Sequence, residues 1–109
     1  MLRTIEAKSP AMLKLLREAD VTFGNFETSV LDLETFAGSP QAESGGTWML
    51  GDPRASDDLA KMGFDIVSHA NNHVTDWGVE GLLETDRHLD RVGLVHAGSG
   101  ASLAAAHAP

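Results

Sequence analysis

Met12, Leu13, Leu16 and Ala19 recur at helical spacing behind Ser9-Pro10, a pair that reads as an N-cap followed by the first helical residue. The pattern predicts a helix over residues 10–19. Val21-Thr22-Phe23-Gly24-Asn25 then favours an extended strand ending at a polar residue, which leaves Glu27 just past the strand's C-terminal end. Residues 37–53, with several glycines and two prolines, read as a long irregular loop in which Trp48, Met49 and Leu50 form an anchoring apolar patch. A short helix is expected over Arg54–Met62, with Ala55, Leu59 and Met62 on one face and Gly63 as a left-handed stop.

Phe64-Asp65-Ile66-Val67-Ser68 is apolar and β-branched, and it runs into His69-Ala70-Asn71-Asn72-His73, which suits neither helix nor strand. That junction marks a strand opening into a loop. Asp76 is placed to cap the next helix, where Val79, Leu82, Leu83, Asp86 and Leu89 keep the 3.6 period until Gly93 closes it. Leu94-Val95-His96-Ala97 reads as a further strand, and residues 98–109 as the opening of another helix. Helices and strands alternating in quick succession specify βαβ units on a mostly parallel sheet, hence an α/β class. Ligands in such sheets bind beyond the carboxyl ends of the strands, so Glu27 and the Asn71–Asp76 loop are expected at one edge.

Composition narrows the function classes. Apolar residues make up 42% of the chain and charged residues 22%, as in ordinary globular proteins. A formal charge of −8 would repel a phosphate backbone, so no nucleic-acid partner is expected. Without cysteine there is neither a disulfide framework nor a thiolate zinc site, and the compartment stays undetermined. The apolar runs fall far short of the roughly 20 residues a spanning helix needs, so no membrane segment is expected in this chain.

The strand-end residues carry the candidate chemistry. Asparagine offers a metal a neutral oxygen, and a neighbouring histidine can protonate a leaving oxygen or bind metal itself. The candidate metal ligands are therefore Glu27, Asn72, Asn25 and Asn71, and the candidate catalytic residues are His73 and Asp76, the latter able to orient His73. Each has a plainer reading: turn chemistry for Asn71 and Asn72, a satisfied loop histidine for His73, a surface carboxylate for Glu27, and a helix cap for Asp76. His69 and His73 stand four apart, but the strand pattern before them argues against a helical zinc pair. His88, His96 and His107 are expected to be structural or exposed, and Gly51-Asp52 to be a turn.

The stretches Ala19-Asp20-Val21 through Gly24-Asn25-Phe26-Glu27, Gly63-Phe64-Asp65-Ile66-Val67, and Ala70-Asn71-Asn72-His73-Val74-Thr75-Asp76-Trp77-Gly78 resemble the CapA family of bacterial poly-gamma-glutamate capsule biosynthesis. The similarity continues through Gly81-Leu82-Leu83-Glu84-Thr85 to Gly98-Ser99-Gly100. The resemblance implies a calcineurin-like metallophosphoesterase fold, an α/β/β/α sandwich of two packed sheets flanked by helices, with dinuclear divalent metal at the strand ends. In that superfamily a Gly-Asn-His motif supplies a metal-ligating Asn and an acid or phosphate-contacting His, which Asn72 and His73 match, with Asn71 in place of the glycine. Glu27 would replace a carboxylate of the second metal motif.

The family's opening Gly-Asp motif has no counterpart ahead of residue 10, and its distal histidine motifs would lie beyond Pro109. Residues 1–109 are therefore expected to form a partial domain, inactive and weakly metal-binding alone. The resemblance further implies a cell-envelope setting and either of two roles. One is a metal-dependent hydrolase acting on a phosphoester or the capsule polymer. The other is a non-catalytic metal- or polymer-binding subunit of a polyglutamate synthesis and export complex. A fragment of a (β/α)₈ hydrolase is the architectural alternative.

Overall fold

The computed structural model describes residues 1–42 and 46–108. Helix α1 (Leu2–Lys8) precedes α2 (Pro10–Glu18). The first was not expected from the apolar pattern, which begins at Met12. Ser9 and Pro10 start α2 as predicted, through the Ser9 carbonyl, which accepts from the amides of Met12 and Leu13, and without a side-chain cap. Of the apolar stripe only Leu13 is buried, while Met12 is 41% exposed and Ala19 is exposed.

Strand β1 (Phe23–Asn25) is followed by β2 (Ser29–Val30), β3 (Leu50–Gly51), α3 (Arg54–Met62) and β4 (Ile66–Ser68). Then come α4 (Gly78–Arg91), β5 (Val95–Ala97) and the short α5 (Leu103–Ala106). Glycines stop two helices as predicted: Gly63 has φ 98° after α3, and Gly93 has φ 75° after α4. The predicted strands at 21–25, 64–68 and 94–97 are present but shorter, because their first residues serve as approach segments.

Strands β1, β4 and β5 form one parallel sheet in that order, with Phe23, Ile66 and Val95 in register. Both crossovers step in the same direction, so right-handed connections carry α3 and α4 over the same face. On that face Val67 packs into a core with Phe26, Val30, Leu89 and Leu94, flanked by Leu59, Ala60, Phe64 and Val92. The other face carries the Phe23 row, and both its flanking residues are largely open, Phe23 at 63% and Val95 at 55%. The fold is α/β, as read from the alternation.

A second, two-stranded parallel sheet joins β2 to β3, pairing Ser29 with Leu50 and Val30 with Gly51. It docks on α4 through Thr85, whose hydroxyl accepts from the Val30 amide at 3.0 Å and donates to the Gly81 carbonyl at 2.7 Å. The expected loop over 37–53 thus contains a strand, although its residues 43–45 lie outside the described residues. The expected anchoring patch is corrected: Trp48, Met49 and Leu50 are 46%, 38% and 40% exposed. Their backbone, and not their side chains, ties the segment down.

Candidate functional site

Neighbouring parallel strands end together, so β1 and β4 deliver their following loops to one edge of the sheet. The Phe26 amide donates to the Ser68 carbonyl at 2.9 Å, extending the pairing just past the strands. Beyond it, Asn71 Nδ2 donates to the Phe26 carbonyl at 2.9 Å and to Asn25 Oδ1 at 3.3 Å. Asn25 Nδ2 in turn donates to Glu27 Oε2 at 2.9 Å. The expected convergence of Glu27 with the Asn71–Asp76 loop is therefore present as a chain of side-chain contacts.

Asn71 Oδ1 accepts from the His73 amide at 3.1 Å, the turn chemistry considered for it from the sequence. This turn presents His73, buried, with Nδ1 2.8 Å from Asp76 Oδ2. A carboxylate only accepts, so the Nδ1 proton is committed to Asp76 and Nε2 is the ring's outward atom. Nε2 lies 4.0 Å from Glu27 Oε1. Asn72, between these residues, is exposed.

Asp76 is not a helix cap. Helix α4 starts two residues later with Trp77 as N-cap, and no side chain caps it. The Asp76 carboxylate is fully buried and its Oδ2 accepts instead from His73 and from the Met49 amide at 2.7 Å. A buried carboxylate goes where donors are available, because leaving it unpaired costs several kcal/mol. Among the described residues its Oδ1 has no hydrogen-bond partner. Asp76 thus holds the His73 ring through Nδ1.

A divalent cation sets demands on the type and spacing of these donors. Oxygen donors from Glu27, Asn25 and Asn71 beside one imidazole nitrogen suit a hard or borderline cation. Two ligands sharing an ion at about 2.1 Å each stand at most about 4.2 Å apart, and only when they lie opposite each other. The 4.0 Å gap between Glu27 and His73 is too long for a hydrogen bond and within that limit. Glu27 and His73 stand close enough to share an ion, while the Asn25 and Asn71 oxygens already accept from Asn71 Nδ2 and the His73 amide. Among the described residues, no three His, Asp or Glu side chains converge on one ion position.

A second polar cluster, missed from the sequence, lies behind this edge. His69 is fully buried, its ring edge-on to Phe26 at 6.0 Å between centroids. Its Nδ1 stands 3.0 Å from both Asp86 Oδ1 and Ser99 Oγ. One Nδ1 proton shared by the two makes Ser99 an acceptor, which is not the arrangement of an activated serine nucleophile. Asp86 in the apolar stripe of α4 was the available signal. His96 bonds Asp90 at 3.0 Å and lies 3.4 Å from Asp86, which makes it structural.

The turn expected at Gly51-Asp52 is corrected: Gly51 closes β3, paired with Val30, and Asp52 lies between that strand and α3. Asp52 Oδ1 accepts from the Arg54 amide at 2.8 Å, and the Arg54 guanidinium holds both carboxylate oxygens. The side-chain hydrogen bond from Arg54, then the backbone one, lowers the Asp52 pKa to about 2. Among the described residues no helix is long and apolar enough to cross a membrane.

Comparison with known proteins bears directly on this edge. Two uncharacterized proteins of Sinorhizobium fredii, y4sH and y4uA, are each 54% identical to the chain over 97 residues, covering 89% of it and 21% of the relative. The chain thus spans about a fifth of the length of the curated relatives it matches. The sequence model of the family described as bacterial capsule synthesis protein PGA_cap matches residues 5–109, across both strand ends and the Asn71–Asp76 loop. The chain belongs to the bacterial capsule synthesis protein family PGA_cap.

Proposed function

We propose that this chain supplies part of the active site of a metal-dependent, phosphoesterase-like hydrolase that acts in capsule poly-gamma-glutamate biosynthesis. The observation that carries the reading is the approach of Glu27 Oε1 to His73 Nε2 across two strand tips, with the ring's other nitrogen fixed by Asp76. Glu27 and the amide oxygens of Asn25, Asn71 and Asn72 would hold one or two divalent cations. The cation would supply Lewis-acid polarisation of a phosphoryl oxygen. His73, held through Nδ1–H by Asp76, would act in its doubly protonated form, giving the Nε2 proton to the leaving oxygen and returning to the Nδ1–H tautomer. Asn71 keeps that ring at the edge by holding the His73 backbone amide.

The two-sheet sandwich is part of this proposal. Phe23 and Val95 stand exposed on one sheet face, which supports a second layer packed there in a protein of the relatives' length. Further ligands would come from the remaining length seen in the relatives.

The test uses the full-length protein that contains this segment. Hydrolysis of bis(p-nitrophenyl) phosphate with Mn²⁺ should fall at least about a hundredfold in His73→Ala, the scale of a lost general acid. Glu27→Ala should weaken Mn²⁺ binding measured by calorimetry. Unchanged turnover and unchanged metal binding in two folded variants would refute the assignment.

The second reading is a non-catalytic polymer-binding subunit. It is favoured by the limited number of charged ligands on the edge and by the net charge of −8, which a polyanion could approach only through bridging cations. Polyglutamate binding that is abolished by chelation, without any hydrolysis, would select it.

A further inference from the structure

Both hydrogen-bonding groups of the Met49 peptide are gripped by consecutive side chains of the site loop. Asp76 Oδ2 takes the Met49 N–H at 2.7 Å, and Trp77 Nε1 donates to the Met49 carbonyl at 3.2 Å. The backbone of the same loop reinforces the grip, since the Asp76 carbonyl accepts from the Gln41 amide at 2.8 Å. Trp77 is held in turn by an edge-on contact with Phe36, 6.1 Å between ring centroids.

The geometry points to Trp77 as a positioning residue for His73. Asp76 is fully buried, and among the described residues both donors to its carboxylate fall on the single oxygen Oδ2, one from His73 and one from Met49. Withdrawing the Met49 amide removes half of that compensation, so the carboxylate would draw in water or turn toward another donor. Either change releases the His73 Nδ1–H. The Met49 carbonyl takes the Trp77 indole at 3.2 Å and the Ser29 amide at a longer 3.4 Å, while Trp48, Met49 and Leu50 bury little of their own surface, so the indole is the shorter of the two holds on it. The run Trp77, Met49, Asp76, His73 is thus one linkage, and the segment around Met49 becomes a strap whose docking sets the ring. Calling the ring part of a reactive site rests on the function proposed above; the linkage itself does not.

The experiment reads the imidazole directly, in the ¹⁵N-labelled chain without metal or substrate. Long-range ¹H–¹⁵N spectra of the unsubstituted chain should show His73 as a single Nδ1–H tautomer. Its ring proton and the Met49 amide should exchange with solvent at matching protection. Trp77→Phe removes the indole N–H while leaving an aromatic ring at the position that faces Phe36. It should speed exchange at both positions about fivefold, the effect of one hydrogen bond of ordinary net strength, and populate the second His73 tautomer.

Faster exchange at Met49 with unaltered His73 signals would make Trp77 merely structural and overturn the proposal, as would no change at either position. If Trp77→Phe does not fold, the unsubstituted chain decides alone. A His73 ring proton protected more than about tenfold longer than the Met49 amide would mean that the two do not open together. Because no turnover is measured, loss of the hydrolase reading would leave these outcomes interpretable.

Discussion

His69 Nδ1 lies 3.0 Å from Asp86 Oδ1, with the imidazole fully buried and the carboxylate 15% exposed. The contact ties the end of β4 to the middle of α4, 17 residues along the chain. Removing the carboxylate takes away the charged acceptor and leaves that buried N–H only the Ser99 hydroxyl. Asp86→Ala should therefore destabilise the chain by about 2–3 kcal/mol, against about 1 kcal/mol for Ser99→Ala, which leaves Asp86 in place. Urea unfolding midpoints at neutral pH check both values, and equal losses would contradict the assignment of Nδ1–H to Asp86.

Leu89 has no exposed surface and packs with Val67, Leu94, Phe26 and Val30. Leu89→Ala should cost about 2–5 kcal/mol through lost transfer energy and the cavity left behind. Val79, on the same helix, is 50% exposed, and Val79→Ala should change the urea midpoint little.

Gly98 has φ +95°, and a Cβ built there would stand 2.5 Å from the Ala70 Cβ. Strain and collision act together, so Gly98→Ala should lose about 2–4 kcal/mol. Gly93 also has a positive φ, but a Cβ there meets nothing within 4 Å. Gly93→Ala should show only the strain, about 1 kcal/mol. Thermal melts of the two variants separate the contributions.

Arg54 beside Asp52 makes a pH prediction. The side-chain hydrogen bond from Arg54, with the backbone one behind it, lowers the folded-state pKa to about 2. For a carboxylate lowered on folding, the stabilisation is present above its unfolded value of about 3.9 and is lost as pH falls toward about 2. The Asp52 carboxyl carbon should titrate near that lower value by NMR. Arg54→Ala should move its midpoint up toward about 3.9.

The site was legible in part because its members are set by strand ends, which short-range patterns reveal. β-branched runs closed by polar residues located β1 and β4, and the parallel arrangement followed from the alternation of elements. His69 was not legible, because its partners Asp86 and Ser99 lie 17 and 30 residues away. The β2–β3 pair was likewise missed: two-residue strands carry no period to detect.

The sequence alone determined where α3 and α4 stop and where α2 begins. Gly63, Gly93 and Pro10 act through their own backbone torsions, which do not depend on distant neighbours. Only the tertiary structure decided which apolar positions are covered. Leu13 is buried while Met12 is not, and Trp48 stays open, because burial depends on which element packs alongside. The same holds for Asp76. A local rule makes it a cap, but the Met49 amide, 27 residues away, and the His73 ring offer donors inside the protein. There a carboxylate loses its water and must be bonded.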